Sequence, residues 1–167
     1  YVDWNSSRVV GADGNYIELF NNPEAENPTW AELKEFLQQD GTDKIIYIED
    51  SFVCVDFAEV LHNNAEEAGI RAAYVYVDLG PTYYLTPFGK VYVNTLGDDH
   101  TLNAFDTTDR GLVYIDCTGT EAGYLNADKV ATVVVGSDYT LVSIFSNPGY
   151  EDEWGKIGMV TEIGIQW

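Results

Sequence analysis

The sequence predicts an α+β fold in which N-terminal helices pack on an antiparallel β-sheet. Segments with apolar residues at helical spacing come first, before Gly69. After Gly69 the apolar period drops to two, and the strand-like runs are joined by short turns carrying Gly and Asp. Strands and helices do not alternate as βαβ units, so a parallel, doubly wound sheet is not expected. With 167 residues, 46% of them hydrophobic, the chain can bury a core, and a single domain over 1–167 is the expectation.

Residues 1–20 read as a strand-bearing lead-in, turning at Gly11-Ala12-Asp13-Gly14 between Val9-Val10 and Tyr16-Ile17. A loop continues to Pro28. Thr29 opens the first helix. Trp30, Leu33, Phe36 and Leu37 recur at helical spacing, Glu32 completes a capping box, and Asp40-Gly41 ends the element. The second helix lies within YIEDSFVCVDFAEVLHNNAEEA, residues 47–68. Ala58, Leu61, Ala65 and Ala68 fall on one line with Cys54, and Phe57 flanks it. Asp56, Glu59, Asn63, Glu66 and Glu67 fall opposite. Asp50 or Ser51 is the expected N-cap and Gly69 the C-cap. Strands are expected at 70–77 and 91–93. A hairpin is expected from 101–105 to 112–115 around the turn at 107–111, and another from 130–135 to 140–145 over Gly136. A last strand runs over 159–167.

Acidic residues outnumber basic ones 28 to 8, and the net charge of −20 argues against nucleic acid and anionic membrane surfaces as partners. No run of 18 apolar residues exists, so no transmembrane helix is expected. The charge, and a start at Tyr1 without Met, lean toward a secreted or cell-surface setting; free thiols would weigh against an oxidising exterior. With two histidines and no CxxC, zinc is not expected. Calcium is the cation that Glu49-Asp50, Asp98-Asp99 and Glu151-Asp152-Glu153 would suit, but none has the spacing of an EF-hand loop, and no cofactor is expected.

Cys54 points inward at a helix start, where free backbone N–H groups and the helix dipole favour a thiolate. A nucleophilic cysteine needs a base, and the base needs an orienting partner. His62 lies eight residues along the same helix, about 12 Å away axially, and cannot reach it; it reads as a surface histidine. Asp56 reads as a first-turn helix charge, and Asn103 and Asp106 as hairpin polar groups. His100 is the remaining base. If the hairpin centres near Thr108, His100 falls opposite or close to Asp116, and alternation sets both on one face with Leu102 and Tyr114. Cys117 then points away, which argues against a Cys54–Cys117 disulfide.

The contexts FVCVDFAEVL, AGIRAAYVYV, HTLNAF and GLVYIDCTG, in that order, resemble the transglutaminase-like superfamily of papain-type cysteine enzymes. The resemblance covers about residues 29–120 and leaves 121–167 as a C-terminal β extension. It implies a papain-like core with Cys54 as nucleophile, His100 as general base and later acid, and Asp116 as orienter of the imidazole. The implied substrate is a peptide or protein amide, attacked through an acyl-thioester by a peptidase, amidase or transamidase. Members of that superfamily carry a Gln or aromatic side chain just before the helix as second oxyanion donor. This chain has no Gln there, and Tyr47, ahead of Tyr84, is the expected substitute. Two other readings compete: a transglutaminase-like binding or structural module without turnover, and an acidic calcium-binding surface domain.

Overall fold

The computed structural model describes residues 9–81, 83–92, 98–120, 126–145 and 158–167. It is α+β. Helix α1 (Trp30–Gln39), a 3-10 turn (Thr42–Lys44) and helix α2 (Cys54–Glu67) precede strands β1 (Ala73–Leu79), β2 (Tyr83–Thr86), β3 (Gly89–Tyr92), β4 (Asp98–Thr107), β5 (Gly111–Asp116), β6 (Lys129–Thr132), β7 (Thr140–Ser143) and β8 (Val160–Gln166). Six strands form an antiparallel sheet in the order β7-β6-β5-β4-β1-β8, and β2 pairs with β3 alone. Strands β6, β7 and β8, all beyond residue 120, therefore flank the same sheet that carries β4 and β5. No helix among the described residues is long and apolar enough to cross a membrane.

The two sheet faces follow from period-two alternation. Phe105, Ile115 and Cys117 pack with Leu33 and Leu37 of α1 and Phe57, Leu61 and Ala65 of α2. Ala73, Val75, Val77 and Leu79 of β1 share the opposite face with Leu102, Ala104, Tyr139 and Leu141. The β6–β7 turn crosses this second face to meet the chain entering β8: Gly136 N–H donates to Val160 O (2.8 Å) and Tyr139 N–H to Gly158 O (2.8 Å). Tyr139 is thereby carried, fully buried, from the sheet's edge over its middle.

Helix α1 begins as expected. Thr29 Oγ1 accepts the Glu32 N–H at 3.2 Å, and the Glu32 carboxylate accepts the Thr29 N–H at 2.7 Å. Helix α2 does not. Its N-cap is Val53, not Asp50 or Ser51, because Ile48 and Phe52 bridge each other and keep residues 49–51 in a turn. Val53 has no side-chain acceptor, so Asp56 in the first helical turn accepts the Val53 N–H at 2.8 Å. The consequence is that Cys54 becomes the first residue of the helix. Gly69, at φ +80°, follows the C-cap in the left-handed conformation that glycine adopts without a Cβ clash.

The lead-in forms a single bridge, Val10 with Tyr16, rather than a strand pair; residues 1–8 lie outside the described residues. Residues 18–22 then form a strap laid along the polar face of α2. Backbone N–H groups of Glu18, Phe20 and Asn22 donate to the side chains of Glu59 (2.7 Å), Asn63 (2.8 Å) and Glu66 (2.9 Å). This strap corrects the expectation of a surface histidine at position 62. It covers His62, which is fully buried, with Nε2 3.1 Å from Asn21 Oδ1. The helical wheel placed His62 at the edge of the polar face correctly; a long-range segment then closed over that edge. Burial lowers its affinity for a proton below the usual 6.5, against a smaller pull from Glu66. A lowered histidine value means that folding disfavours the proton, so this contribution to stability is present above 6.5 and is lost as pH falls below it. A His62→Leu variant is accordingly expected to lose less melting temperature than the parent between pH 7.5 and 5.5. Equal losses would show that His62 is not held neutral.

Strand β1 starts at Ala73, three residues later than expected, and β6 and β7 are shorter than their apolar runs. The β4–β5 hairpin pairs Asn103 with Ile115 and Thr107 with Gly111, so it centres on Asp109 rather than Thr108. Continuing that register sets Asp116 across from Leu102. His100 is its diagonal neighbour, two residues along the same face.

Candidate active site

Three elements converge at the start of α2. The β4–β5 ladder ends at Asn103–Ile115, while β4 itself runs back to Asp98. Residues 98–102 of β4 thus extend past their β5 partner, paired on the other side with β1, and the first turn of α2 meets that length. Thr101 Oγ1 donates to Cys54 Sγ at 3.3 Å, and the Thr101 N–H also reaches the sulfur. Asn103 is the hairpin polar group expected, but it is fully buried: it donates from Nδ2 to Ala58 O at 2.9 Å and fixes the helix on the strand. The Tyr74 hydroxyl reaches Val55 O at 3.4 Å in the same turn.

On one side the His100 imidazole interacts with the Cys54 thiol and favours its ionisation. On the other, its Nε2 lies 2.9 Å from Asp116 Oδ2. With Nε2 committed to the carboxylate, Nδ1 is the ring nitrogen left for sulfur. His100 is 18% exposed at its side chain and Asp116 is 3% exposed, so the imidazole is open to solvent while the carboxylate stays dry. Cys54 is half-buried. Cys117, one residue after Asp116, points to the other face as alternation required. It is buried with its thiol 3.8 Å from Phe57 O, and both cysteines are free.

Asp116 is held from every side. Tyr139 Oη donates to Oδ2 at 2.8 Å and the Thr118 N–H donates to Oδ1 at 2.9 Å. Lys129, its direct partner in the β5–β6 ladder, brings Nζ to 3.8 Å from Oδ1. The Tyr139 ring also stands edge-on to the imidazole at 5.5 Å between centroids. Burial alone would protonate Asp116. The Lys129 charge, the His100 charge and hydrogen bond, and the Thr118 N–H outweigh it and hold the carboxyl far below its usual range. Burial likewise opposes an imidazolium at His100, but Asp116 and Cys54 overcome it and raise His100 well above its ordinary value. For Cys54, burial resists ionisation, and the bond and charge of His100 together with the Thr101 donors turn the balance, leaving the thiol below its ordinary 9.0. The Cys117 thiol, with burial and Asp116 against it, is pushed well up.

The sequence-predicted Cys54, His100 and Asp116 are therefore brought together, and His62 and Cys117 are not among them. Tyr47 sits half-buried against the core beneath α2; the hydroxyl that touches sulfur is that of Thr101. The side chain of Tyr84, and the residues Glu151, Asp152 and Glu153, lie outside the described residues. Asp56 is the first-turn charge expected, although buried. Among the described residues no group of three or more His, Cys, Asp or Glu side chains is arranged to hold a metal ion. Sequence reasoning missed Thr101, Lys129 and Tyr139. A lysine opening the apolar run Val130-Ala131 was the one available signal for Lys129. Neither a family model, nor a curated protein, nor a solved structure matches the chain, so the chemistry is argued from the geometry of these residues.

Proposed function

We propose that this protein is a thiol enzyme that acts on amide bonds of peptides or proteins through an acyl-thioester, on a papain-like, transglutaminase-like core. The observation that carries the reading is the aligned chain Cys54–His100–Asp116, with the sulfur at the first residue of a 14-residue helix. The thiolate of Cys54 attacks the carbonyl carbon. The oxyanion that forms takes the Cys54 N–H, which at the first helical position has no intrahelical acceptor. Tyr47, on the segment entering α2, is the proposed second donor, by resemblance to the superfamily. The His100 imidazolium gives its proton to the leaving amine as the C–N bond breaks. Neutral His100 then takes a proton from water, or from an incoming amine, which attacks the thioester and releases Cys54. Asp116 keeps the ring oriented through both halves.

Iodoacetamide tests this directly. At pH 6 Cys54 is expected to alkylate far faster than a free thiol of ordinary acidity, while Cys117 stays unlabelled until the protein is denatured; peptide mass spectrometry reads both. A Cys54 no faster than glutathione at that pH would remove the basis for an enzyme.

A further inference from the structure

Lys129 is 1% exposed, and an ammonium that deep in a fold is costly unless a partner compensates it. Its Nζ donates to Thr118 O at 2.7 Å and faces Asp116 Oδ1 at 3.8 Å. The two residues are paired across β5 and β6, opposite charges on one face, with His100 on the far side of the carboxylate. The row reads imidazole, carboxylate, ammonium.

We propose that Lys129 is a positioning residue of this site, one that balances the charge of Asp116 so that the carboxylate orients His100 much as a neutral acceptor would. The inference rests on the thiol-enzyme reading for its purpose and on the buried ion pair for its substance. With thiol and neutral imidazole, the row Cys54–His100–Asp116–Lys129 sums to zero; with thiolate and imidazolium it again sums to zero. The proton can pass between sulfur and nitrogen without leaving a net charge buried. Without Lys129 both states would carry a net negative charge, and Asp116 would hold the imidazolium too firmly for it to protonate a leaving amine. Tyr139 fixes the same carboxylate without adding charge.

Among the described residues, the other groups facing this row come from several elements. Tyr74 of β1 faces Cys54, Cys117 and Thr118 lie beyond β5, Asp128 lies beside Lys129, Asp40 follows α1, and Asp43 and Lys44 belong to the 3-10 turn. Asp128 is 3% exposed, and burial, with Asp43 and Asp40 added, pushes its carboxyl up to about 8. At neutral pH it therefore keeps its proton and does not draw the Lys129 charge away from Asp116.

The test is a Lys129→Met variant, read two ways: the pH dependence of Cys54 alkylation by iodoacetamide, and NMR titration of the imidazoles, of which the chain has two. Removing a buried positive charge makes every nearby deprotonation harder, so the first rise in alkylation and the His100 titration should both move to higher pH by at least about half a pH unit. A Tyr139→Phe control, which removes a hydrogen bond but no charge, should move them less. A merely structural lysine would change rates at all pH values and leave these midpoints in place. Unmoved midpoints in a folded Lys129→Met protein overturn the proposal. If that variant does not fold, Asp116→Asn is compared with Asp116→Asn/Lys129→Met, which buries neither charge. The midpoints should drop in the single variant and climb back in the double, and no recovery overturns the proposal. A parent whose Cys54 shows no selective reactivity would instead sink the enzyme reading, while the His100 titration would still decide the charge balance.

Discussion

Replacing His100 by alanine should slow alkylation of Cys54 at pH 6 by roughly 10- to 100-fold and remove acyl transfer to or from an amide. The ordinary value of the thiol is 9.0, so without its partner only about one molecule in a thousand would be thiolate at that pH. Part of this loss returns, because a more basic thiolate is intrinsically the better nucleophile, and that offset keeps the expected effect below a thousandfold. The Thr101 donors remain in the variant, but burial, which already opposes ionisation of Cys54, is then less well countered. Amide chemistry loses more than alkylation does. Iodide leaves without a proton, whereas an amine does not, and in the proposed mechanism His100 supplies that proton. Rates from peptide mass spectrometry, with Cys117 unlabelled as proof of an intact core, measure the first effect; a peptide-amide or amine-incorporation assay measures the second. A His100→Ala protein that labels at the parental rate would show that the thiol is activated by the helix and Thr101 alone.

The constellation was legible because alternation tolerates error. The hairpin turned one residue later than expected, so His100 and Asp116 stand diagonally instead of face to face. A displacement of two positions keeps every side chain on its own face, and a carboxylate and an imidazole span the diagonal comfortably. The excluded residues were legible for equally local reasons: helix rise removed His62 and strand parity removed Cys117. What failed depended on contacts between distant segments. Nothing near His62 announces that residues 18–22 will hydrogen-bond to the polar face of α2 and bury it. Asn103 is a hairpin polar group, but its burial shows only once the helix carbonyl of Ala58 is placed above it. Tyr139 reaches Asp116 only because the β6–β7 turn crosses the sheet to meet residues 158–160. The fold class needed only periodicities, whereas the surroundings of Asp116 needed the closure of the sheet.

The largest stability effect is expected at a residue outside the reacting row, and it changes with pH. The Asp128 carboxyl is raised from 3.8 to about 8, chiefly by burial and then by Asp43 and Asp40. A raised carboxyl means that between these two values the folded protein binds a proton which the unfolded chain has released, so stability falls as pH climbs through that window. Asn in place of Asp128 cannot ionise, and the Asp128→Asn variant should lose this slope. At pH 8.5 it should exceed the parent by a few kcal/mol, since each tenfold gain in proton affinity on folding corresponds to about 1.4 kcal/mol and local relaxation recovers part of the total. At pH 4 the two should be level. Urea unfolding at both values decides it, and subtracting parent from variant cancels the distant Glu59, whose carboxyl burial also raises. A constant difference across the range would show that Asp128 is ionised throughout. That outcome would also bear on Lys129. An ionised Asp128 beside it would compete with Asp116 for the same ammonium, and the row from Cys54 to Lys129 would no longer be neutral on its own.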